Sequence, residues 1–113
     1  MTSETILPER YERIFKGSFE TPFNSKRFIS LSPTAYRDQF KAHQAPTALS
    51  LHAGDDDGFR THISTMKLYL TLRDAGIKSE LRISDGDHKW PVWRDNLGEM
   101  LKFFDTAMQV AKD

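Results

Sequence analysis

Only two segments of this sequence read as β-strands, and a helix separates them. Thr47 to Ala53 is a compact apolar run of strand length, closed by Gly54 and three aspartates. Lys78 to Ser84 is the second, with Leu81 and Ile83 alternating against Glu80 and Arg82. Between them, Phe59 to Ala75 carries Phe59, Ile63, Met66 and Leu70 at offsets of four, three and four, the spacing of one helix face. Gly76 stands where a helix C-cap is expected. A strand, a crossover helix and a second strand make a parallel βαβ unit, the kind of connection that parallel strands need. That commits the chain to an α/β fold. It also exposes a deficit: parallel sheets are covered on both faces and flanked by further strands. A two-stranded parallel sheet leaves both outer edges unpaired.

The final segment deepens the deficit. Pro91 opens a helix whose expected buried face holds Trp93, Leu97, Met100, Leu101, Phe104 and Met108. A sheet of two strands is too narrow to bury so many large side chains. The expectation is a chain that docks on something else, self-associates, or forms part of a longer protein.

Residues 1–45 are less regular. Pro8 to Phe15 fits a short helix with proline at its start, ended near Gly17. Ser18 to Lys26 reads as a loop, Phe28 to Leu31 as a short apolar run stopping at Ser32-Pro33, and Thr34 to Ala42 as a weakly patterned helix. The domain expectation is a single unit over 1–113, with 1–45 as an irregular lead-in and 46–113 as a βαβα segment.

Composition excludes several classes of function. Sixteen basic residues balance sixteen acidic ones among the 113. No Lys/Arg run marks a nucleic-acid footprint, and no run of apolar residues is long enough for a membrane span. The absence of cysteine removes disulfides, thiolate nucleophiles and zinc–thiolate sites. A reducing compartment is compatible with this, and cytoplasmic is the expectation. No cofactor motif is present.

Two loops carry candidate chemistry, each directly after a strand, where open α/β sheets build their sites. The first is Gly54-Asp55-Asp56-Asp57-Gly58, for which a solvated turn and helix N-cap is the bland explanation. The second is Asp85-Gly86-Asp87-His88-Lys89-Trp90. A histidine there can reach the preceding strand's loop and act as a general base oriented by an aspartate; the bland explanation is a surface histidine. His52, inside the first strand, and His62, on the helix, are weaker candidates. A metal set of Asp55, Asp57, His62 and His88 has no recognised ligand spacing, so no metal is expected.

The run LSLHAGDDDGF, then LRDAGIKSELRISDGDHKWPVWRDNLGEMLKFF, resembles the C-terminal end of the putative-esterase branch of the α/β-hydrolases, which includes enterochelin esterase-like and S-formylglutathione hydrolase-like proteins. The matching motifs are the G-x-x-D of Gly54 to Asp57, the L-x-x-A-G-I of Leu72 to Ile77 and the G-x-H-x-W-x-x-W-R of Gly86 to Arg94. Ser32-Pro33 fits an "SP" before the first strand, and the resemblance covers roughly residues 8–108. It implies an α/β-hydrolase fold, present here as its C-terminal βαβα portion with an incomplete sheet. It also implies that Asp57 is the triad acid and His88 the triad base, with Asp55 or Asp56 as substitutes for Asp57.

The chain departs from that pattern in one respect. The nucleophile of such enzymes sits in a G-x-S-x-G turn, and no serine here has glycines two residues away on both sides. The chain is therefore expected to be a segment of a serine carboxylic-ester hydrolase, inactive alone, with a small ester as the parent's substrate. A complementing N-terminal half or self-association would complete it. The alternative is a non-catalytic binding module derived from the same fold. An upstream reading frame with G-x-S-x-G favours the first, and its absence the second.

Overall fold

The computed structural model describes residues 8–43 and 47–112. The elements run α1 (Pro8–Phe15), α2 (Ser25–Ser30), a 3-10 turn (Pro33–Tyr36), α3 (Arg37–His43), β1 (Leu49–Gly54), α4 (Thr61–Asp74), β2 (Ser79–Ser84) and α5 (Trp90–Lys112). The chain has α/β character: a two-stranded parallel sheet with flanking helices.

β1 and β2 pair in parallel, from Leu49 opposite Ser79 to Gly54 opposite Ser84. Both strands end on the same rung, so the loops after them leave the sheet side by side. α4 packs against both strands. It ends as periodicity and glycine placement predict. Gly76 takes a φ of +75°, and its amide and that of Ile77 donate to the carbonyls of Arg73 and Leu72, a paired C-terminal cap. α5 packs on β1. Near its start Val92 is buried, and the Asn96 amide donates to Ser84 Oγ (3.1 Å) and to the Val92 carbonyl (2.6 Å). The last helix is thereby tied to the end of β2.

Burial departs from the faces expected from sequence. On α4 the buried positions are Ser64 and Leu72, followed by Ala75 beyond its end, whereas Met66 and Leu70 are exposed. The apolar stripe drawn through Phe59, Ile63, Met66 and Leu70 is therefore not the inner face. On α5 the correction is larger. Trp93, Leu97, Leu101, Phe104 and Met108 are all 45–60% exposed, and only Met100 of the expected face is half-buried. The stripe exists, but the described residues do not cover it, because α5 turns another side, with Val92, Asn96 and Phe103, toward the strands.

The lead-in is more ordered than its sequence suggests. Phe15, Phe19, Phe23 and Phe28 pack around one another with ring centroids 5.1–6.1 Å apart, and Phe28 is buried. The apolar run at Phe28 lies on α2 rather than in extended chain. Asn24 caps that helix by accepting from the Arg27 amide (3.0 Å). No helix among the described residues is long and apolar enough to cross a membrane.

Candidate functional site

The two strand-end loops are clamped together by backbone. The Asp55 amide donates to the Ser84 carbonyl (2.9 Å) and the Asp56 amide to the Gly86 carbonyl (2.8 Å). The Gly86 amide returns a bond to Asp55 Oδ1 (3.1 Å). A Cβ built on Gly54 would lie 2.3 Å from the Gly86 carbonyl oxygen, and one on Gly86 would lie 2.4 Å from Val92 Cγ2. Gly86 also has a φ of +135°, open to glycine and costly for other residues. The site thus depends on two bare backbones in contact.

This clamp turns the third aspartate inward. Asp57 is 5% exposed, while Asp55 and Asp56 are exposed. A buried carboxylate needs hydrogen bonds on both oxygens, and Asp57 has them. Its Oδ1 accepts from the Phe59 amide (2.7 Å), and its Oδ2 accepts from the Thr61 hydroxyl and from His88 Nδ1, the latter at 2.8 Å. The N-cap position of α4 is held by Arg60 at a φ of +57°, so none of the three aspartates caps that helix. The N-cap explanation of the acidic triplet fails for a local reason. The chain makes a tight turn over 57–60 before the helix begins, and Asp57 braces that turn from within.

Burial, the largest single influence, pushes the Asp57 carboxyl upward. The hydrogen bonds from Thr61, His88 and the Phe59 amide, with the charge of His88, together outweigh it and hold the group below its ordinary value of 3.8. Asp57 is an anion at neutral pH and faces an imidazole.

His88 sits at the mouth of the site, its side chain 44% exposed. Its one hydrogen bond among the described residues is to Asp57. Phe59 meets the ring edge-on at 5.0 Å and Trp93 at 5.1 Å, and Trp90 stacks edge-on against Trp93 at 6.3 Å. An imidazole held at Nδ1 by a buried carboxylate and flanked by two aromatic rings has little rotational freedom. Its Nε2 is left to act on a proton. Lys89 and Asp87 form a separate exposed ion pair (3.0 Å).

A solved structure of a ferulic acid esterase superposes on this chain with a TM-score of 0.52 and 23% identity, over 73% of this chain and 28% of that one. The shared property is fold. The chain spans about 28% of the length of the esterase it matches. No protein-family model matches the sequence, and no curated protein sequence does.

Of the residues singled out in the sequence, Asp57 and His88 are brought together and Asp55 and Asp56 are not in contact with His88. The carboxylates of Asp55, Asp56 and Asp85 instead gather within 4.8 Å on the exposed side of the loops. Asp57, His62 and His88 form no such cluster with Asp55 among the described residues. His52 lies in β1 and bonds Ser50 Oγ through Nε2 (2.9 Å). Ser32 is buried but directs its hydroxyl to the Ile29 carbonyl (2.7 Å). Sequence reasoning missed Thr61 and the Phe59 amide as the other partners of Asp57. The one available signal was a hydroxyl four residues after an aspartate, and that spacing means nothing until the turn is known.

Proposed function

We propose that Asp57 and His88 are the acid and the base of a serine-type ester hydrolase of the α/β-hydrolase fold. On this reading the chain supplies the C-terminal part of that enzyme and its serine lies outside these residues. The supporting observation is the 2.8 Å bond between His88 Nδ1 and a carboxylate that is buried and doubly braced. Asp57 accepts a hydrogen bond from the Nδ1–H, which fixes the tautomer and leaves Nε2 as the acceptor. A serine hydroxyl placed at Nε2 gives up its proton as its oxygen attacks the ester carbonyl. His88 then returns the proton to the departing alcohol, and Asp57 steadies the imidazolium in between. The structural likeness to an esterase supports this reading at the level of fold.

The aromatic wall of Phe59, Trp93 and Trp90 suits an ester with an aromatic group, and the ferulic acid in the structural neighbour's name is aromatic. Without a nucleophile and oxyanion donors, the pair has nothing to activate and no transition state to stabilise. The test is turnover of a short-chain aryl ester. The chain alone is expected to give no more than its His88→Ala variant. Turnover sensitive to a serine-directed inhibitor in the chain alone would overturn the assignment of the nucleophile to another segment.

A further inference from the structure

Thr61, which donates to Asp57 Oδ2, also lines a pocket of about 210 Å³ between α4 and the 3-10 turn of the lead-in. The turn packs on α4. Most of the side chains lining the pocket bear hydroxyls: Ser32, Thr34, Thr61, Ser64 and Thr65. A hydroxyl has one proton to give and two lone pairs to accept with. Where those protons go decides what the pocket offers. Ser32 is buried and spends its proton on the Ile29 carbonyl (2.7 Å). Its 3.0 Å contact with Thr34 is therefore donated by Thr34. Thr61 spends its proton on Asp57. Thr34 Oγ1 and Thr61 Oγ1 are both left as acceptors beside one pocket. The Thr65 hydroxyl, half-buried like theirs, makes no hydrogen bond within the protein among the described residues. Two acceptors and one uncommitted donor suit an occupant that gives two protons and accepts one. Water does both, and a water held by a protein makes about three hydrogen bonds.

We infer that this pocket binds water that donates to Thr34 and Thr61 and accepts from Thr65, which makes Thr34 and Thr65 positioning residues for the Asp57–His88 pair. The inference deepens the proposed function, on which its catalytic meaning rests, by joining the lead-in to the groups that hold the acid. Water that donates to Thr61 Oγ1 polarises that hydroxyl and strengthens its bond to the carboxylate, because hydrogen bonds in a chain reinforce one another. A water-bridged contact is nearly as favourable as a direct one. The line of contacts then runs from the Ile29 carbonyl through Ser32, Thr34, water and Thr61 to Asp57, and ends at the His88 ring.

The experiment uses the full chain, isotope-labelled for nuclear magnetic resonance. Two quantities are read: magnetisation transfer from long-held water to the Thr34, Thr61 and Thr65 methyl groups, and the titration of the Asp57 carboxyl carbon. The wild type is expected to show the transfer. Thr34→Val and Thr65→Val each keep the side-chain shape and remove one hydroxyl. Both are expected to weaken the transfer to Thr61 and to raise the pH at which Asp57 titrates, by less than Thr61→Val does. Thr34→Ser keeps the oxygen and is expected to match the wild type in both readings. None of these variants alters a charge, and His88 stays in place as the ion-pair partner of Asp57. Thr65 touches no hydroxyl of the turn directly, so its variant separates the water from the Ser32–Thr34 contact. Lowered urea midpoints with the Asp57 titration unmoved in both valine variants would assign these hydroxyls a structural role alone and overturn the inference. Absence of transfer in the wild type overturns it as well. Neither reading needs a serine nucleophile, so this result and the ester-turnover result stand or fall separately.

Discussion

Gly54 and Gly86 lie so close that a single added methyl on Gly54 would stand 2.3 Å from the Gly86 carbonyl oxygen. The two glycines are where the acid loop and the histidine loop touch. Gly54→Ala must push these backbones apart, and no flexible side chain is available to yield. Overpacking of this kind costs about 1–3 kcal/mol. The expected outcome is a lowered urea midpoint together with a shift of the His88 ring resonances. Gly58→Ala, whose Cβ would meet nothing within 4 Å, is the control and is expected to leave both unchanged.

Asp57 gives the chain a defined acid limb. Its folded pKa lies below the ordinary 3.8, so its carboxylate contributes stability that is fully present above 3.8. That contribution is lost as pH falls through the folded value. Urea unfolding measured from neutral pH downward is expected to show this loss. Asp57→Asn is expected to flatten the acid limb and to cost about 1–3 kcal/mol at neutral pH, because buried donors lose a charged acceptor.

Thr61 donates to the same carboxylate oxygen as His88. Thr61→Val keeps the shape and removes the donor. The Asp57 carboxyl is then expected to titrate at a higher pH than in the wild type, followed by the carboxyl carbon resonance. Stability is expected to fall by about 1 kcal/mol. An unchanged Asp57 titration would show that the hydroxyl does not support the anion.

The two faces of α5 are expected to respond oppositely to truncation. Val92→Ala removes two buried methyl groups and is expected to cost about 1.6 kcal/mol. Leu101→Ala, at a position 58% exposed, is expected to change the stability of the isolated chain by less than about 0.5 kcal/mol. Denaturant melts of the two variants check the difference directly.

The parallel strand–helix–strand order was legible because the strand and helix periodicities in residues 47–84 do not overlap, and Gly76 marks the stop. The pairing of Asp57 with His88 could be anticipated from their positions on loops after neighbouring parallel strands. Periodicity also found the stripe on α5, but a stripe says only that a side chain favours an apolar neighbour. It does not say which side of the helix meets the sheet, and α5 turns Val92, Asn96 and Phe103 toward the strands and the stripe away from them. The four-phenylalanine cluster at 15–28 escaped because its residues meet across irregular backbone, with Lys16 and Glu20 both at positive φ. The bracing of Asp57 by Thr61 and Phe59 escaped because Arg60, at positive φ, starts α4 later than the apolar pattern suggests.

The equal ending of β1 and β2 makes the geometry of this region a local matter. Acid and imidazole hang from adjacent strands of one ladder, and their spacing is fixed by the last rung, Gly54 opposite Ser84. Both groups are set within a stretch of fewer than fifty residues, roughly 49–96, which also contains Asn96, the latch from α5 to β2. The angle between carboxylate and ring is thus set by bonds within that stretch itself, with Thr61 and the Phe59 amide holding the acid and the loop-to-loop amides holding the histidine turn.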